Sequence, residues 1–206
     1  MTLVVISMLA FAGTQRFNKA MKENLIQLRS DSDQINYLEL GDKFQSIAEK
    51  NENRVEPLYY AAYCYILGSW SIEDIAKKTT ILEKAKSEIE KAQKISPDND
   101  ELLVLEAFYF QAMIMLNPRM NGQVYSGKAT SLLTEAQKRN PNNPRAAFLM
   151  AQNVYYTPSE YGGGKEKALP LFAKAAELFK KQDSADYLKP VWGAKTNNEM
   201  YLKCSY

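Results

Sequence analysis

The chain has 206 residues, enough for one domain with a proper core, and 46% of them are hydrophobic, which excludes a disordered chain. Twenty-six basic side chains meet 24 acidic ones for a formal charge of +2, so a dedicated nucleic-acid surface is not expected. No histidine occurs anywhere. This removes the commonest general base and metal ligand, and with them Ser-His-Asp and Cys-His catalysis and His-containing zinc sites.

The first predicted element is a targeting signal. Leu3 to Ala12 is an uncharged apolar run closing on Ala10-Phe11-Ala12, an A-x-A cleavage pattern. It falls short of the roughly 20 residues a spanning helix needs. The basic segment that normally precedes such a run is missing, so the true start can lie upstream. Residues 1–12 are read as a signal remnant and 13–206 as the mature helical domain, exported to a bacterial periplasm or the cell exterior. A residual N-terminal anchor is the alternative, and no membrane span is expected once the signal is removed.

From there on helical periodicity dominates, and it repeats. Ala85-x3-Ile89-x2-Ala92-x4-Pro97 recurs as Ala129-x3-Leu133-x2-Ala136-x4-Pro141, and again as Ala168-x3-Phe172-x2-Ala175 without the proline. Leu40, Phe44 and Ile47 form an earlier, degenerate copy. Steps of four and three put each set on one helix face, where alanines allow a neighbouring helix to come close. Each copy follows a more apolar partner helix, at residues 57–70, 101–116 and 144–156. The units span about 17–50, 54–97, 98–141 and 142–180, and residues 184–206 form a linker and capping helix. Trp192 and Leu202 are expected to plug the last apolar face.

The A-x3-[FIL]-x2-A-x4-P ending resembles the second helix of a tetratricopeptide repeat (TPR) over about residues 34–180. Cys64, Ala107 and Ala151 stand where that family places a small residue in its first helix; its tryptophan is replaced by Tyr60, Leu103 and Ala147. The resemblance implies an all-α solenoid of about four helical hairpins with a C-terminal cap. It implies further that Tyr65, Val104, Phe108, Gln111, Phe148, Gln152 and Tyr155 face a concave groove that takes an extended peptide. At ordinary helical spacing the same aromatics read as core.

The chain departs from the family at one place. Small residue and second-helix alanine lie 21, 22 and 17 residues apart (Cys64 to Ala85, Ala107 to Ala129, Ala151 to Ala168), more than the standard repeat has. The extra residues are expected as three enlarged loops along one rim. Two of these loops are alike, Tyr125-Ser126-Gly127-Lys128 and Tyr161-Gly162-Gly163-Gly164-Lys165, and with helix N-termini behind them they could hold an anion. A nucleotide P-loop is not implied, because Glu166 stands where magnesium needs a hydroxyl. Cys64 and Cys204 sit in units too far apart to bridge and are expected as free thiols, Cys64 buried. Glu106 and Asn153 lie in apolar surroundings, either as packing anchors or as ligand contacts.

The sequence therefore points to a non-catalytic scaffold that binds a protein or peptide, with no cofactor. The alternative is a solute-binding accessory of a transport system, since the glycine-rich third loop and exported setting are similar to periplasmic TPR proteins associated with TRAP transporters.

Overall fold

The computed structural model describes residues 2–30, 32, 34–183 and 185–205, with side chains from residue 13 onward. The segment read as a signal is therefore described only as backbone, which continues helix α1, Thr2–Leu28. The side chains of residues 1–12 lie outside the description. Among the described residues no helix is long and apolar enough to cross a membrane.

Eight further helices follow among the described residues: α2 Tyr37–Glu49, α3 Val55–Ser69, α4 Ile75–Ile95, α5 Asp100–Ile114, α6 Pro118–Arg139, α7 Pro144–Tyr156, α8 Lys165–Lys180 and α9 Ala194–Ser205. They pair as α1/α2, α3/α4, α5/α6 and α7/α8, with α9 against α8. The fold is an all-α, TPR-like stack of four hairpins with a terminal helix.

The repeat signature is the core. Ala85, Ile89, Ala92, Ala129, Leu133, Ala136, Ala168, Phe172 and Ala175 are all completely buried. Leu40 and Phe44 of the degenerate copy are equally sealed. In α1 the stripe Phe17, Met21, Leu25 at steps of four packs onto the next hairpin. Asparagine and aspartate side chains start most of the helices: Asn36, Asp74, Asn99, Asn117 and Asn143 each accept a backbone N–H of the first turn.

The expected enlarged loops are mostly helix. Asp74 caps α4 and Asn117 caps α6, so the extra residues of the first two units lengthen the second helix by turns at its start. Tyr125 and Lys128, read as a rim loop, stand inside α6. Packing explains why. Tyr125 stacks on Phe110 of α5 at 5.5 Å between ring centres. Lys128 lies over both rings, at 5.2 and 5.4 Å. Asn121 donates to the Met113 carbonyl at the end of α5 (2.8 Å). These contacts hold the added turns against α5 and outweigh the cost of about 1 kcal/mol that each of Gly122 and Gly127 imposes inside a helix. Only the third unit keeps a true loop, a 3-10 turn Ser159–Tyr161 followed by the three glycines.

The cap also differs from expectation. Leu202 is exposed, and Met200, Cys204 and Asn197 cover α8 instead, with Asn197 donating to the Phe172 carbonyl (3.1 Å). Trp192 lies elsewhere, on the concave face. Both cysteines are free and buried.

The glycines separate the loop and helix readings experimentally. No atom lies within 4 Å of a Cβ placed on Gly122 or Gly127. Gly122→Ala and Gly127→Ala should each stabilise the protein by about 0.5–1 kcal/mol in urea unfolding. By contrast, a Cβ on Gly41 would stand 2.7 Å from the Tyr65 ring, so Gly41→Ala should destabilise by about 1–3 kcal/mol.

Candidate functional site

The first helices α3, α5 and α7 run side by side and line the concave face. Residues 185–193, between α8 and α9, cross this face as a strap that turns over 186–189. Arg29 donates to the carbonyls of Tyr187 (2.8 Å) and Lys189 (3.0 Å). Tyr60 donates to that of Leu188 (2.9 Å), and Gln182 to that of Pro190 (2.6 Å).

The strap ends in Trp192, which lies across two aromatic rings. Tyr63 of α3 and Phe108 of α5 sit side by side, 6.1 Å between centres and tilted by 30°. The indole covers both, at 5.0 Å and 20° from Tyr63 and at 5.4 Å and 24° from Phe108. Its Nε1 donates to the Tyr59 hydroxyl (2.9 Å). Trp70, 54% exposed, meets Phe108 edge-on at 90° and carries the aromatic path to solvent. Tyr63 and Phe108 are the floor, Trp70 a side wall and Trp192 a cover.

Beside this floor, under the strap, opens a cleft of about 500 Å³. Its walls include Tyr59, Tyr60, Asn143 and Arg145, and its mouth carries Lys181 and Lys189. That volume lies within the range of small-molecule sites, about 300–1,000 Å³. Arg145 of α7, 4% exposed, is gripped by Glu101 of α5 through Nη2–Oε1 at 2.6 Å and Nε–Oε2 at 2.9 Å. It also donates to Gln182 (3.1 Å), and so joins α5, α7 and the turn after α8, from which Gln182 reaches the strap. Asn140 and Asn143 both donate to Asp100 (2.9 and 2.7 Å), which fixes the loops at this edge.

Burial dominates the titration of this face. It raises the Tyr60 phenol from 10.0 to about 12 and pushes Tyr59 and Tyr63 well up as well. The Cys64 thiol is raised by the same desolvation, so it is held as a thiol and not as a reactive thiolate.

The residues expected on the groove divide. Phe108 is on it, beneath Trp192. Tyr65 is not: it is 1% exposed and turns between α2 and α4, donating to Asp42 (2.7 Å) and Gln45 (2.8 Å). Phe148 is core against Phe172 and Phe179, and Val104 is sealed. Gln111 donates to the Leu149 carbonyl (2.9 Å) and ties α5 to α7. Gln152 and Tyr155 are half-buried, Tyr155 edge-on to Phe172. Helical spacing gives a residue's face but not what another segment lays over it: α2 takes Tyr65, α8 takes Phe148, and the strap covers Phe108.

Glu106 and Asn153 prove to be packing anchors. Glu106 accepts from Lys86 (2.5 Å) and Gln93 (2.7 Å), and Asn153 donates to Ser126 and Thr130. At the third loop, the N–H groups of Gly162, Gly163 and Gly164 donate to Ser159, Pro158 and Val154, so they are spent inside the turn and form no anion cradle. Gly162 and Gly164 have φ of 89° and 104°, and a Cβ on Gly163 would strike the Thr157 carbonyl. Tyr161 (77% exposed) and Lys165 face solvent at that edge. The sequence reading missed Tyr59, Tyr60, Tyr63, Arg145 and Trp192. The run Tyr59-Tyr60-x2-Tyr63 was a visible signal, since α3 spends three phenols within two turns of one helix.

Among solved structures, the HusA haemophore from Porphyromonas gingivalis is similar to this chain: 29% identity over 91% of this chain and 92% of that one, with a TM-score of 0.82. A thermophilic TPR protein of Thermus thermophilus matches at 16% identity over 96% and 94%, TM-score 0.57, which shows the fold alone. Neither description names an enzyme. No protein-family model matches the chain, and no curated protein does.

The raised tyrosines give a test of this face. A buried phenol is stabilising while neutral, so its contribution is complete below about pH 10 and is lost as pH climbs toward 12. Thermal stability should fall across that window. In an absorbance titration at the phenolate band, the tyrosines of this face should ionise only together with loss of helix.

Proposed function

We propose that the protein is a non-catalytic carrier of haem or a closely related flat tetrapyrrole, bound on the concave face between the aromatic floor and the cleft. The observation that carries this reading is the likeness to a haemophore at 29% identity over nine-tenths of both chains. The chemistry of the face supports it. Stacked aromatics suit the faces of a wide apolar ring. Lys181 and Lys189 stand at the cleft's mouth to meet carboxylate side arms. With no histidine, the chain lacks one common axial ligand of haem iron, and this reading rests on the ring face. This makes specific the solute-carrier alternative. The apolar N-terminal run supports export, and such a carrier works in the periplasm or outside the cell.

A second reading, a peptide-binding scaffold, is supported by the strap, since the face holds a segment of chain through that segment's backbone carbonyls.

Titration with haemin and with metal-free protoporphyrin, followed at the Soret band, tests the first reading. Both should saturate near one equivalent, with affinities within about tenfold of each other. A tenfold difference is about 1.4 kcal/mol. A Soret band unmoved by stoichiometric ligand overturns it. In that case affinity capture from the envelope fraction, competed by a synthetic peptide of residues 185–193, tests the second.

The Arg145–Glu101 pair lines the cleft and also holds the site's frame. Glu101→Ala leaves a buried guanidinium unpaired and should cost about 3–5 kcal/mol in chemical unfolding.

A further inference from the structure

We infer that Trp192 is a stand-in for the ligand: the Tyr63–Phe108 floor is the seat of the ligand's ring, and the strap must leave it before the ring can dock. This rests on the reading of a flat aromatic ligand.

Three observations carry it. The first is shape. Tyr63, Phe108 and Trp192 are within 30° of parallel, so the two floor rings make one flat apolar bed, and the indole lies on it as a planar guest would. Both floor rings are buried, and the chain itself lays the cover over them. A ring stacked there and a docked Trp192 cannot coexist.

The second is how lightly the strap is held. Its polar anchors on the stack are backbone carbonyls accepting from side chains, the indole N–H, the Arg145 guanidinium 5.8 Å over the indole, and a long bond from the Tyr187 hydroxyl to the Asn18 carbonyl (3.4 Å). Two of its own backbone N–H groups, those of Leu188 and Lys189, turn back onto Asp186 within the strap. Tyr187 and Val191 are exposed. Among the described residues no ladder of backbone bonds secures it, unlike an added strand or a docked helix.

The third is that its ends are pinned. α9 holds to α8 through Asn197, Met200 and Cys204, and Gly193 at the junction has φ of 106°. The strap can therefore lift as a loop while the stack stays closed. Lifting it also unroofs the cleft beside the floor, since Leu188 and Pro190 are part of that cleft's wall.

The experiment is a porphyrin titration of wild type, Trp192→Ala and Arg29→Ala. Arg29→Ala loosens the strap without touching floor or indole, so it serves if Trp192→Ala folds poorly. Apparent affinity is reduced by the fraction of molecules with the seat covered. Both variants should therefore bind more tightly, Trp192→Ala by roughly tenfold given the usual strength of two ring contacts. In parallel, wild type labelled with 5-fluorotryptophan is titrated with the diamagnetic zinc protoporphyrin. The fluorine resonance of Trp192, assigned from its loss in Trp192→Ala, should move to a solvent-exposed position.

Equal or weaker binding by both variants, or a Trp192 resonance that stays in place while wild type binds, overturns the inference and leaves the carrier reading standing. If no form of the protein takes up a porphyrin, the carrier reading fails. The seat is then judged with 1-anilinonaphthalene-8-sulfonate. Uptake by Trp192→Ala and not by wild type supports it, and uptake by neither overturns it.

Discussion

How closely the second helix of each hairpin approaches its neighbours governs the rest of this molecule. Alanine at two positions of each signature, with one larger residue between them, leaves room for a helix to lie nearly in contact with the backbone. Where the pattern is intact, in α4, α6 and α8, all three residues are sealed. The first helices are then held in a row, and their free sides become a continuous concave surface. Nothing on that surface could be flat or aligned if the spacing behind it varied from hairpin to hairpin.

On that frame the chain spends its tyrosines unevenly. α3 places Tyr59, Tyr60 and Tyr63 toward the concave side and Tyr65 away from it, into a hydrogen-bonded site under α2. The first three meet the strap, and the Tyr59 and Tyr60 hydroxyls provide polar anchors for it. Ring faces attract without direction, while the Tyr59 and Tyr60 hydroxyls fix how the strap lies on them. The Arg145–Glu101 pair lies at the edge of this surface, holding α5 to α7, with the Arg145 guanidinium 5.8 Å over the Trp192 ring.

The added turns of α4 and α6 bear on how sequence becomes structure here. Asn117-Pro118 has the same cap-and-proline form as Asn143-Pro144, and both start helices. Gly122 and Gly127 argue locally for a turn, yet the stacking of Tyr125 on Phe110 and the Asn121 bond to Met113 hold helix through them. In the third unit the glycines prevail, because Gly162 and Gly164 adopt positive φ and the Gly163 backbone presses on Thr157. The glycine–lysine resemblance between the two segments hid two different structures.

The sequence by itself determined the helical period, the repeat, the buried alanine faces, the capped helix starts and the exclusion of histidine chemistry. These are local properties, set by residues within a few turns of one another. Only the tertiary structure decided which aromatics are covered and by what. Trp192 meets Tyr63 and Phe108 across 129 and 84 residues of chain. No spacing rule within one helix reaches that far: the contact exists because the chain returns from the end of α8 across the face formed by α3 and α5.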